Sequence, residues 1–209
     1  MRHQLSDGAA VRIRPVQPSD AALLADGFAR LSIESRELRF LTRKSELTES
    51  ELRYFTEVDH RHHEALGAVD EATGRGIGIA RFVKHTEEPK AAELAIVIDD
   101  DWQGRGLGTA LLSELTDRAR EEGIRRFTAL VAADNSSVLG LLQTIGDGPR
   151  STHRDYDTIE YEVDLGPAGL GEGLRGLLRA FGCQQLKPPP QICAILNALV
   201  PSQLLGHDD

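Results

Sequence analysis

The spacing of hydrophobic positions changes period several times along the chain. In VRIRPV, Val11, Ile13 and Val16 alternate with basic residues, and a period of two predicts a strand. Over 17–31, Leu23, Leu24 and Phe28 recur at helical spacing, with Ser19 or Asp20 able to cap. SIESRELRFL (32–41) reads as a second short helix. Thr48 and Glu51 stand at capping-box spacing at the head of TESELRYFTEV, which predicts a third. The pattern then turns to strand, turn, strand over 64–83, with ATGRG as the connection. AAELAIVID (91–99) is apolar enough for a strand buried on both faces.

A helix is predicted from Leu107 to about Glu122, with Leu111, Leu112, Leu115 and Ala119 on one face and Gly123 as its stop. RRFTALVA (125–132) reads as a strand, NSSVLGLLQTIG (135–146) as a helix closed by Gly146, and TIEYEVDL (158–165) as a last strand. The order β, helices, β-β-β, α, β, α, β predicts an α/β fold around one mixed sheet, spanning 10–165. From Gly166 the composition shifts. Residues 166–209 read as a linker and a short helical tail with two small apolar stripes, either flexible or interface-forming, with a homodimer through the tail as one expectation.

Composition narrows the function classes. A formal charge of −9 argues against nucleic acid as a partner, because a duplex binder needs a basic surface. No run is long and apolar enough for a signal peptide or a membrane span, so a cytoplasmic location is expected. Cys183 and Cys193 are the only cysteines and show no metal-ligand spacing. HRHH (60–63) also lacks such spacing, so no metal is expected and the histidines read as a solvated strand entry. Asp99–Asp101 are expected to face solvent, where they could attract a lysine-bearing partner.

The chemistry concentrates in WQGRGLGTALL (102–112). Glycines at the start of a helix suit a close backbone approach to an anion, because the first helical N–H groups are unpaired and the helix dipole is positive there. A Walker A loop is excluded because no Gly-Lys-Ser/Thr follows. A dinucleotide fingerprint is excluded because Gly104, Gly106 and Gly108 are spaced by twos. Gln103-Gly104-Arg105-Gly106-Leu107-Gly108 fits the pattern Gln/Arg-x-x-Gly-x-Gly/Ala. Together with the strand before it, the helix after it and LVAADNSSVLGLL, it resembles the GCN5-related N-acetyltransferase superfamily. LSIESRELRF and LTESELRYFTEVDHRHHEALGAV further resemble the Pat-type bacterial protein lysine acetyltransferases.

The resemblance implies a GNAT fold with acetyl-CoA as cosubstrate. It implies backbone N–H groups of Gly104, Arg105, Gly106, Leu107, Gly108 and Thr109 on the pyrophosphate, after Gln103. The Thr109 hydroxyl and the Arg105 charge would add to them. Backbone of Ile96, Val97 and Ile98 would lie along the pantetheine arm, and Asn135 would either contact that arm or cap its helix. The acceptor it implies is a protein lysine, for example on an acyl-CoA synthetase, or else a small amine. Glu93 is the expected base, since a carboxylate on an apolar strand needs a reason and partial burial would raise its pKa. The alternative for Glu93 is a plain ion pair with an arginine such as Arg81. Because this strand is commonly bulged in the superfamily, alternation alone does not assign its face. Many members carry a tyrosine acid seven residues after the asparagine; here that position is Leu142. A noncatalytic acyl-CoA sensor is the remaining alternative.

Overall fold

The computed structural model describes residues 1–146 and 148–166. Beyond Gly166 the expected tail, with its helical stripes, Cys183 and Cys193, lies outside the described residues.

The chain forms an eight-stranded sheet: β1 (Arg2–Gln4), β2 (Ala10–Pro15), β3 (His63–Asp70), β4 (Gly76–Lys84), β5 (Ala91–Ile98), β6 (Arg126–Ala132), β7 (Arg150–Arg154) and β8 (Thr158–Asp164). The spatial order is β1-β2-β3-β4-β5-β6-β8-β7. Only β5 and β6 run parallel, and they are joined through a helix, as a parallel crossover requires. The helices are α1 (Ala21–Arg30), α2 (Ile33–Phe40), α3 (Glu49–Thr56), α4 (Leu107–Glu121) and α5 (Ser136–Leu142).

One face of the sheet carries the main core. Leu107, Leu111, Leu112, Leu115 and Ala119 of α4 pack on Ala80, Phe82, Leu94 and Phe127, all of them buried. The stripe read from the sequence is therefore the face that α4 buries. Gly123 follows α4 at φ +80°, the left-handed geometry of a helix stop. Thr48 and Glu51 form the expected capping box at α3.

Several expectations are corrected. Two edge strands, β1 and β7, were not foreseen. Asp20 does not cap α1 with its side chain; it accepts from the Gln17 backbone N–H and pairs with Arg14 at 2.7 Å. Gly146 does not close α5, which ends at Leu142. It lies where any Cβ would collide with the Asp164 carbonyl oxygen, so its role is close approach to β8. The HRHH histidines are not simply solvated. His60 Nδ1 lies 2.7 Å from the buried Glu64 carboxylate, whose other oxygen faces Arg118, and His63 is half-buried against the Tyr54 ring.

Candidate active site

The sheet forks at Glu93. β5 pairs with β6 only at Ala91, Ala92 and Glu93, the last opposite Thr128. Beyond this rung the two parallel strands part, and a cleft of about 840 Å³ opens between them. That is ample for a small-molecule cosubstrate. Ala95, Ile96 and Val97 are consequently half-buried, which corrects the expectation of a strand covered on both faces. On its other side β5 stays paired with β4 from Ala92 to Ile98 with no register shift. No bulge interrupts it there, so alternation assigns the faces. Leu94 joins the core under α4, while Glu93, Ala95 and Val97 share the opposite face with Val83 and Arg81, the partners of Glu93 and Ala95. The Glu93 side chain is exposed, which corrects the expectation that it is partly buried.

The glycine turn closes one end of the cleft. Gly104 and Gly106 have φ of +71° and +89°, a region in which a side chain is strained. Gly108 is there for another reason: a Cβ would stand 3.0 Å from Leu141 of α5, so it lets α4 and α5 pack closely. Gly106 is the N-cap of the 15-residue α4. Among the described residues, no N–H from Gly104 to Thr109 donates to a backbone carbonyl. Backbone donors without a backbone acceptor, at the positive end of a helix dipole, are an arrangement that suits an anion.

The cleft gathers Glu93, Ile96, Val97, Ile98, Gln103, Gly104, Gly106, Gly108, Thr109 and Asn135. Arg105 and Leu107 do not line it. The Arg105 guanidinium lies over the Trp102 ring and pairs with Asp7 at 2.9 Å, and Leu107 is core. Asn135 is the N-cap of α5, but its side chain makes no cap hydrogen bond and is left to the cleft. Gln103 donates to the Ile98 carbonyl at 3.2 Å and so ties the turn to the end of β5. Leu142 is buried beneath the cleft, and neither Tyr156 nor Tyr161 lines it.

The acidic run faces solvent at Asp100 and Asp101, as expected, but not at Asp99. Asp99 is buried and paired with Arg30 at 3.0 Å. Asp100 accepts from the Ser32 N–H and from the hydroxyls of Ser32 and Ser35, and these bonds to α2 lower its pKa against the cost of burial. Asp100 and Asp101 are exposed, and Asp100 spends its charge on these bonds at the surface.

Helix α2 supplies the wall that sequence reasoning missed: Glu34, Ser35, Leu38 and Arg39 line the cleft. No local pattern marks them, since α2 reaches the cleft only through tertiary packing. Arg39 is pulled down to a pKa of about 10, by burial first and then by the charge of Arg81, with Glu93 acting in the opposite direction. Burial also lowers Arg81, whose guanidinium lies 5.0 Å and 4.6 Å from the ring centres of Tyr54 and Phe55. Among the described residues no cluster of three or more His, Cys, Asp or Glu side chains is arranged to hold a metal ion. No helix there is long and apolar enough to cross a membrane.

Residues 31–146 match the model of the Acetyltransferase (GNAT) family. The chain is 32% identical over 164 residues to the acetyltransferase Pat of Mycolicibacterium smegmatis, covering 78% of this chain and about half (48%) of that protein. It is 33% identical over 144 residues to the acetyltransferase PA5475 of Pseudomonas aeruginosa, covering 68% of this chain and 77% of that one. The GNAT domain of S. lividans PAT superposes with a TM-score of 0.73 at 29% identity, covering 79% of this chain and 96% of that domain. The forked sheet, the left-handed glycine turn at a helix N-terminus and these matches agree: the chain belongs to the Acetyltransferase (GNAT) family, N-acetyltransferases with acetyl-CoA as cosubstrate.

Proposed function

We propose that the chain transfers the acetyl group of acetyl-CoA to the side-chain amine of a protein lysine by direct attack in a ternary complex. The observation that carries this reading is the fork: it puts a carboxylate, Glu93, at the apex of a cleft whose far end is a cluster of free N–H groups. The lysine acceptor, with acyl-CoA synthetases as candidate partners, follows from the resemblance to Pat-type enzymes and is supported by the 32% identity to a Pat.

Acetyl-CoA supplies an activated thioester. The N–H groups of Gly104 to Thr109 and the Thr109 hydroxyl hold its pyrophosphate, with Arg105 and Leu107 contributing backbone alone. Backbone of Ile96 to Ile98, unpaired on the β6 side, hydrogen-bonds the extended arm and polarises the carbonyl. The free Asn135 side chain contacts the same arm. A lysine ammonium has an ordinary pKa of about 10.4, so it must lose a proton before it attacks. Glu93 takes that proton, directly or through a water. The amine nitrogen bonds to the carbonyl carbon, the carbon–sulfur bond breaks, coenzyme A leaves as thiolate, and the second proton that the nitrogen sheds on becoming an amide passes to water. With an ordinary thiol pKa of about 8.5, the thiolate collects a proton from water without the tyrosine that Leu142 replaces.

The test is acetyl transfer from acetyl-CoA into a cell lysate, read by lysine-site mass spectrometry, with wild type beside Glu93→Gln. New acetyl-lysine sites with wild type alone support the reading. Coenzyme A release with small amines and none with protein moves the acceptor to a metabolite. Tight acetyl-CoA binding without turnover by either protein moves the reading to a sensor.

A further inference from the structure

Arg81 stands mid-strand in β4, opposite Ala95, on the face that also carries Glu93. Its Nε and Nη1 are buried, and among the described residues neither has a hydrogen-bond partner. Arg39 reaches the same place from α2, with its guanidinium 4.9 Å from the Phe40 ring centre and within the field of both Arg81 and Glu93. Most other semi-buried arginines have a carboxylate within 4 Å, as Arg14, Arg30, Arg118 and Arg126 do, while Arg36 donates instead to the Ala29 and Ser45 carbonyls. Among the described residues Arg39 and Arg81 make no such pair, and Glu93 is the carboxylate whose charge bears on both. Uncompensated buried cations and unpaired buried N–H groups both cost stability. Two of them converging beside the proposed base form an incomplete set of charges.

We propose that Arg39 and Arg81 are a carboxylate-reading pair in a small pocket that both line and that adjoins the cleft at Arg39, Ala95 and Val97, so that the acceptor presents a carboxylate there alongside the amine it offers to Glu93. The inference rests on the acetyl-transfer reading and names its substrate class. Two guanidinium groups and one carboxylate leave a local excess of one positive charge, which a second carboxylate balances. A dianionic phosphate would overshoot beside Glu93. A planar guanidinium also matches a planar carboxylate with two parallel hydrogen bonds. The carboxylate has two sources: an acidic residue next to the acceptor lysine in a protein, or the α-carboxylate of a free amino acid.

The full chain is assayed with acetyl-CoA on two matched pairs: a lysine peptide with Glu or Gln beside the lysine, and a free α-amino acid or its amide. Rates are referred to the unprotonated amine. The carboxylate member of at least one pair has a kcat/KM about tenfold higher or more, as a charge-assisted bidentate contact implies. Preference in the peptide pair names the acidic flank as source; preference in the second pair names the α-carboxylate. Arg39→Gln and Arg81→Gln bring the ratio close to one. Ratios near one for both pairs with wild type overturn the proposal without any variant. A calorimetric titration of the N-acetylated products with coenzyme A present gives a second readout. It shows the carboxylate member binding about tenfold tighter to wild type, and Arg39→Gln removing the difference. Absence of turnover on every amine counts against the acetyl-transfer reading alone; equal binding of the matched products then overturns the carboxylate site.

Discussion

Glu93 and Thr128 form the last rung between β5 and β6, and the cleft opens immediately beyond them. A carboxylate at the apex of a fork is fixed by strand pairing on both sides, through Val83 as well as Thr128, yet its side chain remains exposed. Replacing Glu93 with Gln keeps the volume and removes the base. The expected result is a fall in kcat of about 10²- to 10³-fold. Acetyl-CoA affinity by calorimetry stays within a factor of about three, since its proposed contacts lie elsewhere along the cleft. A matching loss of affinity would mean that Glu93 holds the cleft's shape instead.

Two glycines of the turn, Gly106 and Gly108, separate by experiment. Gly106→Ala puts a side chain at φ +89°, which costs about 1–2 kcal/mol and disturbs the N–H groups at the head of α4. Acetyl-CoA binding is expected to weaken about tenfold or more. Gly108→Ala instead presses on the Leu141 side chain at 3.0 Å, so melting temperature is expected to fall with a smaller change in affinity. The pair of variants, each measured by thermal melt and by titration with acetyl-CoA, checks the division of roles.

What the sequence disclosed followed apolar rhythm. Strands β2 to β6 and β8, and the helices between them, were legible because their buried faces repeat at two or at about 3.6 residues. β1 and β7 were not, because RHQ and RSTHR are edge segments; the latter is exposed at every position and so has no apolar face to repeat. The glycine turn was legible because backbone geometry restricts residue type. Arg39 and Arg81 were not placed together, since one lies on a short helix and the other on a strand, joined only by tertiary packing. Arg81 entered as a partner for Glu93, yet no ion pair within 4 Å forms between them.

Gly146 illustrates the same limit and gives a prediction. Its position after an apolar helix suggested a helix stop, but its φ is not left-handed. A Cβ there would strike the Asp164 carbonyl and lie 2.7 Å from a Val163 methyl, both on the rigid β8. Gly146→Ala is therefore expected to destabilise the fold by about 3 kcal/mol, at the upper end of overpacking effects. Urea denaturation measures it; a cost below about 1 kcal/mol would show that the segment can shift away from β8.

The Arg30–Asp99 pair links α1 to the end of β5. Asp99 is buried and Arg30 only partly so. Arg30→Ala strands the carboxylate without its cation and also removes a hydrogen bond to the Gly76 carbonyl. The expected loss is about 3 kcal/mol, as for other broken buried pairs. The double variant Arg30→Ala with Asp99→Asn is expected to recover part of it, because the uncompensated charge is gone. Denaturant midpoints of the single and double variants provide the check.

His63 makes stability depend on pH. Burial, and then the neighbouring Arg81 charge, lowers its pKa from 6.5 to about 4, although Asp59 and Glu64 pull the other way and His60 adds slightly to the fall. The unfolded chain therefore takes up a proton near pH 6.5 that the folded chain refuses until about pH 4. Between those values the unfolded state binds more protons, so stability rises with pH. The contribution is fully present above pH 6.5, shrinks as pH falls, and levels off below about pH 4. Its size is about 2 kcal/mol after allowance for partial solvent exposure. Denaturation free energies of wild type and His63→Gln, measured from pH 4 to 7.5, test this. The variant is expected to show a shallower slope between pH 4 and 6.5, and identical slopes would mean that His63 takes up its proton at the same pH in the folded and unfolded chains.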